Sequence, residues 1–463
     1  MSDFPFGFGK PSGEGGDEPE RRGENPADNP FAAMFGQGGG SPADFGAALQ
    51  QIGRMMQWQG GPVNWDLAEQ VARQAVSASG DRSVVDAQRA TVAEAVKLAD
   101  HWLDEATTLP SGVSSATAWS RAEWVDATLP VWRQLCDPVA AHVVEAMGQV
   151  LPAEAQQMAG PLMGMMRQMG GAMFGAQVGQ AIGSLAQEVV GSADVGVPVG
   201  PPGQAALVPA NVEAFGTGLG VPEEEVRLFL ALREAAHHRL FGHVPWLRAH
   251  VLAMVEDYAR GIRVDTSALE EAVGSIDPAN PESLQEALSG DLFAPQETPE
   301  QKAALLRLET VLALVEGWVD EVVGEAAGSR LPATSALRET VRRRRAAGGP
   351  AEQTFASLVG LELRPRRLRD AAALWRALSE SRGVEGRDAV WGHPDLLPTA
   401  DDLDDPSGFA SRSGTLDLSA LEASADAGDA PAEPSAEERR ADRDEPGEGD
   451  GGERPGSGPG TPA

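Results

Sequence analysis

Apolar residues between about residues 42 and 398 recur at three- and four-residue spacing along most of the chain. That spacing places them on one face of a helix, so it predicts a mostly α-helical fold. Strand patterns are few: 195–199 and 206–208 flank a Gly-Pro-Pro-Gly turn and predict at most a small β-hairpin. The predicted helices cover 66–79, 84–107, 120–149, 222–241, 246–260, 267–273, 281–288, 299–327, 335–347, 351–359 and 364–381.

The segment 158–190 differs from these helices because it is rich in methionine and almost free of charge. Its glycines at 171, 175, 179 and 183 recur every four residues. On a helix they make a smooth groove that lets another helix approach closely, so the segment is predicted to be a packed core helix. Its length also suits a membrane span. Its four glutamines favour the core helix, and we expect no membrane span.

Both ends of the chain lack a periodic apolar face. Residues 1–41 are rich in glycine and proline, and residues 399–463 are rich in acidic and small residues, so both are predicted to be disordered. The helical domain is expected at 42–398. Within it, a helical part covers 42–157, the Gly/Met-rich helix and a loop cover 158–221, and the remaining helices cover 222–398.

Charge and composition narrow the class of protein. The chain has 69 acidic and 37 basic residues, a net charge of −32, and half of that charge lies in the two ends. The acidic field would repel polyphosphate, which excludes nucleic acid as the main partner. One cysteine allows no internal disulfide, and the N-terminus has no secretory signal pattern, so we expect a cytoplasmic protein. The preference for arginine over lysine is typical of a GC-rich bacterial genome.

The histidines carry the strongest chemical signal. Four of the seven fall within fourteen residues, at 237, 238, 243 and 250. A proline and three glutamates at 222–225 predict the start of a helix on which Glu234 and His237 share a face, with His238 beside them. The segment Arg-Glu-x-x-His at 233–237 is similar to His-Glu-x-x-His, in which two histidines hold zinc and the glutamate activates its water. Arg233 stands at the first ligand position.

The stretches 231–250, 314–318, 358–367 and 389–398 together resemble a bacterial zincin-like family of zinc-dependent metalloproteases or hydrolases, whose activity is inferred from the motif. The resemblance covers roughly residues 45–405. Members with an intact motif carry it just ahead of a Pro-Trp-Leu segment, which here is Pro245-Trp246-Leu247. The resemblance therefore implies a multi-helix zincin-like domain of a branch with a degenerate motif, zinc as the cofactor, and a peptide or protein as substrate.

The resemblance also implies the residues of the site. Glu234 would be the general base, and His237 and Glu316 would be metal ligands, with His243 as a rival third ligand. Glu316 has support of its own, because a carboxylate on a helix that is apolar nearly all round is costly unless it is paired or ligated. The alternative interpretation is that Glu316 belongs to the polar edge of that helix. His238 and Asp320 are candidates for residues that contact the metal ligands and not the metal itself.

Two interpretations of the motif stay open at this point. If zinc binds through His237, Glu316 and His243 or His238, the protein is a metallopeptidase or related hydrolase. Because a guanidinium stays protonated and cannot ligate zinc, Arg233 instead favours a non-catalytic binding or scaffold protein, in which it pairs with Glu234 or Glu316 in place of the metal. The sequence leaves the substrate and the oligomeric state undetermined.

Two further charged segments are candidate binding sites. Four consecutive arginines at 342–345 could bind phosphate or the acidic tail, although a solvated helix face is the favoured interpretation. His393 and the aspartates at 395–405 could form a site for a hard metal ion, but an ordered strap with capping aspartates is favoured.

Overall fold

The computed structural model describes residues 61–149, 160–261, 263–264, 295–296, 298–346 and 367–412. Residues 1–41, residues 413–463 and the predicted helices at 267–273, 281–288 and 351–359 lie outside these residues. The disordered tail was predicted to begin at 399, and this was wrong for 399–412, because these residues form capped turns and a short helix. The described α-helices are α1 (Trp65–Ala78), α2 (Asp86–Leu103), α3 (Arg121–Gln149), α4 (Gly160–Ala186), α5 (Pro209–Gly216), α6 (Glu223–His243), α7 (Leu247–Arg260), α8 (Pro299–Ala327), α9 (Thr334–Ala346), α10 (Leu368–Asp388) and α11 (Pro406–Ser411). The prediction of a mostly helical fold is confirmed.

Local sequence sets where these helices begin. The Leu67 amide donates to the side chain of Asn64 at the start of α1, and the Gln301 amide donates to the Thr298 hydroxyl at the start of α8, both at 3.1 Å. Such side chains satisfy amides that have no partner within the first helical turn. Helix α6 follows Pro222, and three glutamates occupy its first turn, as the sequence predicts.

The hairpin that the sequence allowed between 195–199 and 206–208 does not form. Strand β2 (Gln204–Leu207) pairs in parallel with β1 (Ser115–Ala118), and residues 195–199 form no strand. A parallel pair needs a partner far away in sequence, which a local alternation pattern cannot reveal. A second small sheet joins β3 (Arg263–Val264) to β4 (Pro295–Gln296) in an antiparallel pair.

The glycine groove of α4 packs directly on α1, as predicted. A Cβ atom added at Gly179 would lie 2.8 Å from the Val71 Cβ atom, and one added at Gly183 would lie 2.8 Å from the Ala75 Cβ atom. Only glycine therefore permits this separation between the two helices. Among the described residues, no helix combines the length and apolar character that crossing a membrane requires.

Helices α6 and α8 form the centre of the described domain. Residues 229–240 of α6 are buried without exception, and so are residues 313–323 of α8. A helix that is buried all round lies inside a protein and not at its surface. Arg233 and Glu234 of the motif and the acidic residues of α8 at 316, 320 and 321 consequently lie in the core, where each needs a partner.

Candidate functional site

The motif helix α6 and helix α8 bring three of the predicted residues together. Arg233 and His237 are four residues apart, so they share the face of α6 that meets α8. The Arg233 Nη2 atom donates to Glu316 Oε2 at 2.6 Å, and His237 Nε2 lies 3.1 Å from Glu316 Oε1. All three residues are at most 5% exposed. The first ligand position of the motif is therefore filled by a guanidinium bound to the expected acidic ligand.

Both ring nitrogens of His237 face hydrogen-bond acceptors. Nδ1 lies 2.8 Å from the main-chain oxygen of Arg233, and Nε2 faces the Glu316 carboxylate. Both contacts are within hydrogen-bond distance, so His237 is paired directly with Glu316 and with the main chain of its own helix.

Helix α9 supplies a further cation to the same carboxylate. Arg345 Nη2 lies 2.7 Å from Glu316 Oε1 and 2.9 Å from the main-chain oxygen of Asp194. Burial acts to raise the pKa of Glu316, but the charges of Arg345, Arg233 and His237 outweigh it and hold that pKa well below its ordinary value. Glu316 is thus an ionised, buried carboxylate with both oxygens occupied.

The loop at residues 187–203, between α4 and β2, lies over this carboxylate. At Gly196, φ is 89°, and a Cβ atom added there would lie 3.4 Å from Glu316 Oε1. Asp194 of the same loop accepts a hydrogen bond from Arg344 Nη1 at 3.0 Å. Burial acts to raise the pKa of Asp194, yet the charges of Arg344 and Arg345 lower it below its ordinary value. The loop and α9 are therefore joined over Glu316 by ion pairs.

Glu234 points to a different set of partners. Its carboxylate accepts from the main-chain amides of Ser192, Ala193 and Ala206 at 3.0 to 3.2 Å, and also from the Ser192 hydroxyl. His238 Nε2 lies 3.4 Å from its Oε1 atom. Burial acts to raise the pKa of Glu234, but His238, the Ser192 hydroxyl and the Ala206 amide bring it below its ordinary value. Glu234 fastens the 187–203 loop and β2 to α6.

The other predicted site residues lie apart from this cluster. His243 is at the exposed end of α6, where its Nε2 lies 2.9 Å from the Ser111 main-chain oxygen. It is six residues past His237, about 9 Å along the helix axis. Asp320 lies on α8 and is held by Arg338 and Arg342 at 2.7 and 2.6 Å. Neither residue contributes to a cluster with His237 and Glu316.

The donor set does not fit a zinc ion. A zinc site needs at least three protein ligands with free lone pairs. Here two candidate ligands meet, His237 and Glu316, and their binding atoms are taken by each other and by two guanidinium groups. Within the described ranges, no group of three or more histidine, cysteine or acidic residues could hold a metal ion.

The arginine run at 342–345 was the signal that the sequence interpretation missed. A solvated helix face was the favoured prediction, and it was wrong for three of the four residues. Arg342, Arg344 and Arg345 pair with Asp320, Asp194 and Glu316, respectively. Only Arg343 is turned outward, with a side chain 78% exposed that pairs with Glu339 on its own helix. Acidic residues one turn apart on an apolar helix, at 316 and 320, could have indicated that these cations turn inward.

The aspartate-rich strap after α10 behaves as the favoured prediction states. Asp402 accepts from the Thr399 amide at 2.8 Å, and Asp405 accepts from the Gly408 amide at 3.0 Å. The His393 side chain accepts from the Asp395 amide. These contacts cap turns. Among the described residues, the histidine and aspartates of the strap form no group that could hold a metal ion.

Comparison with known proteins agrees with this fold. The model of the family described as zincin-like metallopeptidase matches residues 63–410. A solved structure of a candidate hydrolase with a novel fold from Chloroflexus aurantiacus is 22% identical in sequence, with a TM-score of 0.55, and the alignment covers 76% of this chain and 100% of that one. At this identity the likeness shows the fold alone. No curated protein matched. Because the family model spans most of the sequence, this chain belongs to the zincin-like metallopeptidase family.

Proposed function

We propose that this protein is a non-catalytic member of its family, in which the guanidinium of Arg233 takes the place of the metal and the zincin-like domain acts as a binding or scaffold protein. The contact that carries the proposal is the hydrogen bond of 2.6 Å from Arg233 Nη2 to Glu316 Oε2. A guanidinium has no lone pair to give to zinc. It also brings a permanent positive charge to the position where the motif would place the cation.

The contacts of Glu234 support the same proposal. A general base must be free to approach a water molecule and take its proton. The Glu234 carboxylate instead accepts hydrogen bonds from three main-chain amides, and its pKa lies below the ordinary value. A carboxylate held in this way is stabilised as the anion and serves the fold.

Burial adds a third line of support. Glu316 is 4% exposed and Glu234 is 3% exposed, and the 187–203 loop lies over both. Hydrolysis requires a peptide carbonyl and a water molecule at the reacting centre. The packed loop and the ion pairs of α9 occupy the approach to Glu316. We therefore propose that a peptide or protein partner, if it follows the substrate class of the family, binds without being cleaved.

Zinc analysis of the purified full-length protein tests this proposal. After equilibration with excess zinc and dialysis, we expect no zinc above the level of a matched blank. We also expect that neither zinc nor a chelator changes the thermal midpoint. Zinc would raise the midpoint only if it bound the native state. A second assay measures cleavage of denatured casein with and without chelator. Stoichiometric zinc, or casein cleavage that the chelator abolishes, would contradict the proposal.

A further inference from the structure

The Glu316 carboxylate is bound by two arginines from different helices, and only one of them belongs to the motif. Arg233 occupies Oε2 at 2.6 Å, and Arg345 occupies Oε1 at 2.7 Å. We infer that Arg345 is a second specificity-determining residue. Together with Arg233 it supplies the two positive charges of a divalent metal ion, and it excludes zinc from this site even when the histidine motif is restored. This inference rests on the proposed function.

Arg345 is held in a fixed position beside Glu316 by several contacts. Its side chain is 12% exposed, and its Nη2 atom is fixed by two acceptors, Glu316 Oε1 and the main-chain oxygen of Asp194. Leu337 and Val341 on the same helix are buried, so α9 packs with a defined orientation. Arg344, the preceding residue, binds the Asp194 carboxylate and so ties α9 to the 187–203 loop. The position of Arg345 is thus set by packing on one side and by ion pairs on the other.

The charges around Glu316 explain why one replacement is insufficient. If Arg233 were replaced by histidine, Arg345 would still occupy Oε1 of the only acidic ligand. A divalent ion would then bind beside a buried guanidinium. At an effective dielectric constant of about 20, repulsion between the divalent ion and the Arg345 guanidinium across the carboxylate lowers the affinity for zinc by at least about tenfold. Removal of both guanidiniums leaves a histidine at 233, His237 and Glu316, which is a set of three zinc ligands.

Four variants of the full-length chain separate these effects. Arg233→His restores the motif and keeps Arg345. Arg233→His combined with Arg345→Gln removes both guanidiniums. The matched control combines Arg233→His with Arg343→Gln, because Arg343 lies on the same helix but its side chain is 78% exposed and pairs with Glu339 and not with Glu316. Arg345→Gln alone keeps Arg233 and should bind no zinc.

Zinc affinity is measured by competition with a coloured chelator, and Co²⁺ absorption reports tetrahedral coordination. We expect the Arg233→His/Arg345→Gln protein to bind one zinc ion at least about tenfold more tightly than Arg233→His or the Arg343 control. Equal affinities for Arg233→His and the double variant, or no zinc in a folded double variant, would overturn the role of Arg345 while the proposed function stands. Stoichiometric zinc in the wild type would overturn the proposed function itself.

Folding of the variants is checked by circular dichroism with and without zinc. Should the glutamine variant fail to fold, Arg345→Met replaces it, because methionine keeps the aliphatic stem without the charge. If neither double variant folds even with zinc present, the two cations are not exchangeable with a metal ion and the inference fails.

Discussion

Replacement of Arg233 by methionine removes the guanidinium while keeping much of the aliphatic stem. The lost contact is a buried, charged hydrogen bond of 2.6 Å to Glu316. Hydrogen bonds to charged groups are worth about 1.5–3 kcal/mol, and removing one partner of a buried ion pair costs about 3–5 kcal/mol when the other charge is left alone. Glu316 keeps Arg345 and His237 as partners. We therefore expect Arg233→Met to lower the free energy of unfolding by about 2–3 kcal/mol.

Glu316→Gln is the informative companion variant. It leaves two guanidinium groups, those of Arg233 and Arg345, together with His237 around a neutral amide. We expect the larger loss, about 3–5 kcal/mol. Urea unfolding followed by circular dichroism measures both values. Arg343→Met is the control, because that side chain is 78% exposed and its loss should change stability by less than about 0.5 kcal/mol. A cost for Arg233→Met no greater than that of the control would show that the ion pair with Glu316 does not stabilise the fold. A smaller cost for Glu316→Gln than for Arg233→Met would contradict the role of Glu316 as the shared partner.

Three further predictions concern pH, the carboxylate of the motif and helix packing. The pKa of Glu316 in the folded protein lies below its ordinary value of 4.5, so this carboxylate stabilises the fold above pH 4.5 and loses that contribution as the pH falls below 4.5. The free energy of unfolding of the wild type should therefore fall more steeply from pH 5 to about pH 3 than that of Glu316→Gln. Glu234→Gln should lower the free energy of unfolding in urea by about 1–3 kcal/mol, because the NH₂ group of the new amide would face main-chain donors. Glu223→Gln is the control and should cost almost nothing, because that side chain is 71% exposed. Equal costs for the two variants would contradict the role of Glu234 in anchoring the loop. Gly179→Ala should cost about 1–3 kcal/mol through overpacking, while Gly170→Ala, which meets no atom within 4 Å, should be neutral or stabilising in the same assay.

Periodic patterns predicted the helices and part of their packing. Apolar spacing locates α6 and α8 to within a few residues, and the four-residue glycine repeat predicts the close contact of α4 with another helix. These features depend on residues that are neighbours along one helix, so a single sequence contains the information. Glu316 was identified from the family resemblance, and the pattern supported it because a carboxylate on a helix that is apolar nearly all round is costly without a partner.

Contacts between distant segments could not be predicted from the sequence. The partner of β2 is β1, far upstream, and the amides that bind Glu234 come from the 187–203 loop and from β2. Arg345 belongs to a run of arginines that looks solvent-exposed, and only the fold shows that three of its four members turn inward. Two of the three side chains that contact the Glu316 carboxylate come from α6, but the third, Arg345, could be found only from the position of α9.

Zinc content of the wild-type full-length protein tests whether Arg233 and Arg345 have replaced the metal ion. The protein is purified, equilibrated with excess zinc and dialysed, and its metal content is measured by elemental mass spectrometry. Because guanidinium groups occupy both oxygens of Glu316, we expect no zinc above a matched blank. Retention of one zinc ion per chain, lost on replacement of His237 or Glu316 by alanine, would contradict that replacement of the metal.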